Sequence, residues 1–144
     1  MDKQQSVNLL SVAYQGCEMG VHSVEDLSCK VKDPLLKGQF NRMATDHKNL
    51  ETLIAEQFNS HNAAPIQMSG KERAALWSTT KLQTLFNHDT EHIAEMMLDG
   101  SNMGIKAMTR AIKANPSADQ SAKDVANEFI EMGQRHVEEL KSYI

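Results

Sequence analysis

Apolar residues fall at helical spacing in four separate stretches of this chain. From near Ser6 to about Val31, residues Leu10, Ala13, Cys17, Val21, Val24, Leu27 and Val31 follow steps of three and four. That spacing lays one apolar stripe along a helix. Asp33-Pro34 then stops and restarts the chain. Aspartate caps the next helix, and proline suits its first turn, where the missing N–H would have had no partner. The second helix, from Pro34 to about Asn59, carries Leu36, Phe40, Met43, His47, Leu50 and Ile54 in a 4-3-4-3-4 spacing. The third runs from about Thr90 to Ala114, with Ile93, Met97, Gly100, Gly104, Met108 and Ala111 on its stripe and Met96 and Met103 beside it. Asn115-Pro116 ends it, and Ser117-Ala-Asp-Gln120 reads as a capping box. The fourth helix is expected to reach the C-terminus, on a stripe of Val125, Phe129, Met132, His136, Leu140 and Tyr143.

The connections decide the topology. Helices one and two are joined so briefly that they must be antiparallel neighbours. Ser60 to Ser69 is polar, contains Pro65 and reads as a linker. Ser69-Gly-Lys-Glu72 is a second capping box, which predicts a short helix to about Phe86. Its Leu76, Trp77, Leu82, Leu85 and Phe86 make no single stripe, as expected of a segment lying against a bundle. The middle connection, 60–89, is long enough to run the length of such a bundle. The fold class is therefore all-α: a ferritin-like four-helix bundle of two hairpins joined by a crossover, not a sequential meander. One domain, 1–144, is expected, with hairpins at about 5–59 and 90–144. An internal echo supports two related halves: Gly16, Met19, Gly20 and Val21 recur as Gly100, Met103, Gly104 and Ile105 at one constant offset.

Composition narrows the function. The formal net charge is −4 and no basic stripe occurs, which argues against a nucleic-acid partner. No apolar run approaches the roughly 18 residues of a membrane span. The polar start Met-Asp-Lys-Gln-Gln-Ser leads into no signal-peptide core. Cys17 and Cys29, on one continuous helix, would lie about 18 Å apart, beyond the roughly 7 Å that a disulfide spans. Reduced cysteines without an export signal predict a cytoplasmic protein.

The crossover topology raises a di-metal hypothesis. Such centres take a glutamate from each of two helices and a Glu-x-x-His pair from each of the other two. No Glu-x-x-His occurs here: Ala44 stands three before His47, and Gly133 three before His136. A full carboxylate-bridged iron pair is not expected. His47 and His136 hold matching places in the two halves, each inside an apolar seam. With Glu18 and Glu51 they form a candidate transition-metal site for iron, zinc or copper, since neutral imidazole is a good ligand for all three. Two buried histidines satisfied by ordinary hydrogen bonds are the plainer reading. His88, His92 and Glu95 share a helical face and make a second candidate cluster, with a solvated polar flank as the alternative. Glu18, His22 and Glu25 repeat that spacing.

Gly16-x-x-x-Gly20 and Gly100-x-x-x-Gly104 each weaken their helix by roughly 1 kcal/mol per glycine. Close approach of two helix backbones would offset this. A ligand cavity lined by Met19, Met43, Met103 and Met108 is the alternative, and a methionine-rich groove between subunits a third. No nucleophile–base pair, phosphate-binding glycine loop or paired-carboxylate motif is present.

Three segments carry a family likeness: His92-Ile-Ala-Glu-Met-Met-Leu-Asp-Gly-Ser-Asn-Met-Gly-Ile105, the Met19-Gly20 echo, and Val31-Lys-Asp-Pro-Leu-Leu-Lys37. The chain resembles an uncharacterised family of bacterial ferritin-like four-helix proteins from anaerobic spore-formers, itself similar to spore-coat-associated bundles. The resemblance implies the fold more than an activity. The leading expectation is a homo-oligomeric bundle that acts by binding or assembly without catalysis, with room for a small-molecule ligand. A metal protein using the core histidines is the first alternative, and an oxidoreductase with a degenerate metal centre the second.

Overall fold

The computed structural model describes residues 2–66 and 89–144. These form four helices, α1 (Lys3–Ser28), α2 (Pro34–Ser60), α3 (Thr90–Ala114) and α4 (Gln120–Leu140), and a closing 3-10 turn at Lys141–Tyr143. No strand occurs among the described residues. The capping box at Ser69, the short helix expected after it, and His88 lie outside them.

Helix ends differ from the stripe-based boundaries where side chains cap the backbone. The first helix starts at Lys3, not Ser6, because the Asp2 carboxylate accepts the N–H groups of Gln4 and Gln5 at 2.8 and 3.2 Å. It ends at Ser28, and Val31 is buried beyond it. Asp33 caps α2 as expected, accepting from Leu35 and Leu36. The cap of α4 is Asp119, not Ser117: its carboxylate accepts the Ala122 N–H at 2.8 Å. Ser117 ties down the N-terminus instead, its carbonyl accepting from Asp2 and its N–H donating to Gln5. The fourth helix stops at Leu140, short of the C-terminus.

Two apolar clusters fix the topology. One joins Leu9, Leu10 and Cys17 of α1, Leu50, Ile54 and Phe58 of α2, Met108 and Ala111 of α3, and Val125, Phe129 and Met132 of α4. The other joins Val24 and Leu27 of α1, Leu36, Phe40 and Met43 of α2, Ile93 and Met97 of α3, and Leu140 of α4. The second helix thus ends at the first cluster, while α3 begins at the second. The end of α2 and the start of α3 therefore lie at opposite ends of the bundle, so α2 and α3 run the same way and lie across the diagonal. Each hairpin is antiparallel, α1 packs antiparallel to α3 and α4 antiparallel to α2, and α1 also meets α4 in parallel, their starts tied by Ser6 and Asp119.

The echo glycines do not bring helix backbones together. A Cβ on Gly16 would lie 2.5 Å from the Phe129 ring, and one on Gly20 would overlap the His47 ring. In α1, then, glycine makes room for aromatic rings from facing helices. Gly100 is exposed with open space where its Cβ would be, so it is not on a buried stripe. The proposed methionine cavity does not form either. Met43 and Met108 belong to opposite clusters, and Met103 is 57% exposed.

Candidate functional site

The two apolar clusters are separated by a waist that crosses all four helices. On α1, Gly20 lies between Cys17 of one cluster and Val24 of the other. On α2, His47 lies between Leu50 and Met43, and on α4, His136 lies between Met132 and Leu140. On α3 no residue from Leu98 to Ala107 is buried. Large aliphatic side chains are therefore few at the waist, and two imidazoles stand in their place.

Helical register puts both histidines inward, because each replaces one apolar residue of its stripe. Their ring centres are 5.4 Å apart, with the planes tilted by 64°. The Phe129 ring continues the file, 6.5 Å from His47. It in turn fills the gap beside Gly16 and touches the position of a Gly104 Cβ at 3.4 Å. His136 is 1% exposed and His47 8%.

One hydrogen bond defines the chemistry of the pair. The Nε2–H of His136 donates to Asp46 Oδ2 at 2.8 Å. An ionised carboxylate only accepts, so Nε2 carries the proton in this contact, and in the neutral tautomer Nδ1 would hold the lone pair. Arg135 lies 3.9 Å from the same carboxylate oxygen, on the exposed side. The Nδ1 atoms of His47 and His136 are both buried and lack a hydrogen-bond partner among the described residues. His47 is pushed down to about 4, first by burial and then by repulsion from His136, with Asp46 pulling the other way. It is neutral at pH 7.

The expected carboxylates stand apart from this pair. Glu18 and Glu51 face one another between α1 and α2: burial and then the Glu18 carboxylate push Glu51 upward, against His22, Lys48 and a hydrogen bond from Tyr14. Burial and Glu51 also raise the Cys17 thiol far above its ordinary value. Cys17 is buried and Cys29 exposed, both as free thiols. Among the described residues no three His, Cys, Asp or Glu side chains gather closely enough to hold a metal ion. The described residues thus do not assemble the donor set of a di-iron centre, and no step through one follows. In the second candidate cluster, His92 is half-buried and Glu95 exposed. His22 and Glu25 form an exposed pair at 3.8 Å, a solvated flank.

Sequence reasoning missed Asp46. It adjoins His47 in the chain, but its partner lies 90 residues away, and no local periodicity reports such a pairing. It also missed His61, whose ring reaches Asp119 at the start of α4 while accepting the role of C-cap to α2.

No family model matches the chain, and no curated protein matches it. Among solved structures it is similar to a dodecameric thioferritin, the bacterioferritin-related protein from Bacteroides fragilis. The TM-score is 0.74 at 14% identity, over 99% of this chain and 86% of that one. The chain has a ferritin-like four-helix-bundle fold. No described helix is long and apolar enough to cross a membrane.

Proposed function

We propose that this chain is a non-catalytic ferritin-like subunit of the cytoplasm, which assembles with copies of itself and binds a ligand at its waist. The observation that carries this reading is the buried His47–His136 pair, 5.4 Å between ring centres, with no metal-sized cluster of carboxylates beside it among the described residues. Iron oxidation at paired ions draws on four glutamates and two histidines, whereas this interior presents neutral nitrogen.

Assembly is supported by the dodecameric state of the Bacteroides fragilis protein. It is also supported by Leu35 and Leu53, 72% and 43% exposed. Leu35 stands in the first turn of α2 and Leu53 toward its far end, and each leaves an apolar side chain uncovered. Kinship with spore-former bundles, through 31–37 and 92–105, belongs to the same reading.

Glu18 facing Glu51 favours a second reading, an oxidoreductase with a degenerate metal centre. One experiment separates the two: ferrous iron is added to the protein in air, and light scattering gives the mass. Oxidation no faster than in buffer, with a multimer, is the expected result. Rapid stoichiometric oxidation that Glu51→Gln abolishes would establish the second reading, and a monomer would remove assembly.

A further inference from the structure

The geometry points to a one-ion site for monovalent copper between His47 and His136, with Asp46 as its positioning residue. The inference rests on the binding reading above and names its ligand. Two imidazoles on one ion, at metal–nitrogen distances of about 2.0–2.1 Å, stand with ring centres roughly 5–6.5 Å apart. The observed 5.4 Å falls inside that interval. Both rings keep a buried Nδ1 without a partner among the described residues, and His136 and His47 are 1% and 8% exposed. A buried polar atom left unpaired is unfavourable by roughly 1–3 kcal/mol, so two at one place call for a common occupant.

Asp46 supplies the outer partner that ligating histidines use. A carboxylate accepting the far ring N–H fixes the tautomer and strengthens the nitrogen that faces the ion. Here Asp46 holds Nε2–H of His136 at 2.8 Å, leaving Nδ1 as the donor.

The identity of the ion follows from charge and softness. The two ligands carry no negative charge, and the one carboxylate beside them, Asp46, can offset a single positive charge. The desolvation penalty of an ion rises with the square of its charge, which disfavours a divalent ion. Zinc also seeks four ligands, usually with anionic members. Monovalent copper accepts few ligands and prefers imidazole and thioether. Met43 and Met132, each one helical turn before a histidine and 1% and 4% exposed, put thioethers on the same inward faces.

The test is an anaerobic titration of cuprous ion into the full chain, competed by bicinchoninate, with a parallel zinc titration. One cuprous equivalent per chain is expected, lost in His47→Gln and weakened about 10–100-fold in Asp46→Asn. Asp46 lies at the bundle surface, so the second variant carries the test if the first fails to fold. No cuprous binding, zinc bound in preference, or copper retained unchanged in folded variants would each overturn the assignment. Failure here leaves the non-catalytic reading intact, because that reading stands or falls on iron oxidation and subunit mass.

Discussion

The imidazole of His47 on α2 lies where the side chain of Gly20 on α1 would begin, with its Nε2 edge against that carbon. Gly20→Ala should therefore push a buried ring out of place. Overpacking of this kind typically costs about 1–3 kcal/mol, set against a gain of roughly 1 kcal/mol from replacing a helical glycine. The net expectation is a lower urea midpoint. Gly100→Ala meets nothing within 4 Å, so it should raise the midpoint, by about 0.5–1 kcal/mol in stability. Equal effects of the two substitutions would contradict this account.

Phe129 gives a sharper test of the same packing, because its ring passes close to Gly16. Phe129→Ala should cost about 3–5 kcal/mol by leaving a cavity. Gly16→Ala should be harmful in the parent chain and harmless or stabilising once that ring is gone. A double-mutant cycle should report non-additivity of roughly 0.5–3 kcal/mol. Additive losses would mean that Gly16 serves some purpose other than admitting Phe129.

How much of this was legible beforehand depends on range. The stripes of α2 and α4 were readable because helical periodicity is local, and His47 and His136 could be placed inward by it. The crossover was readable from the length between Ser60 and Asp89. The partner of each histidine was not, since Asp46 meets His136 across the bundle and a stripe says nothing about which helix it faces. The glycine echo suggested equivalent roles, but Gly20 lies under a ring while Gly100 faces open space. Repetition in sequence did not carry over to the environment, because the two hairpins place different side chains at the waist. Asp46 itself is matched in the second half by Arg135.

Asp46 also has a structural consequence apart from any ligand. Asp46→Ala would leave the Nε2–H of His136 inside the bundle without its acceptor. An unsatisfied buried donor costs about 1–3 kcal/mol, and chemical denaturation should show a loss in that range. Arg135→Ala removes only a half-solvated pair at 3.9 Å. Exposed pairs contribute about 0–1 kcal/mol, so its midpoint should barely move. A loss on Arg135→Ala as large as on Asp46→Ala would place the important contact at the surface instead.

The end of α2 is fastened to the start of α4 by His61 and Asp119, and this pair sets a pH dependence. Nδ1 of His61 meets the Gln57 carbonyl at 2.7 Å, and Nε2 meets the Asp119 carboxylate. Both partners only accept, so the ring is held with a proton on each nitrogen. The Gln57 carbonyl and then Asp119 raise His61 above its ordinary 6.5. For Asp119, burial alone would raise the carboxyl, but bonds from Ala122, His61 and Ser121 prevail and bring it from 3.8 to about 2. A base raised in the folded state contributes fully below its unfolded value and loses that contribution as pH climbs through the folded one. A lowered acid contributes above its unfolded value and loses it as pH drops toward 2. Both contributions are present together between 3.8 and 6.5. The stability difference between the parent chain and His61→Asn should thus be largest near about pH 5 and shrink as pH rises above 6.5. Urea denaturation at several pH values measures it, and a difference that stayed constant across that range would show that the contact holds without the ring's charge.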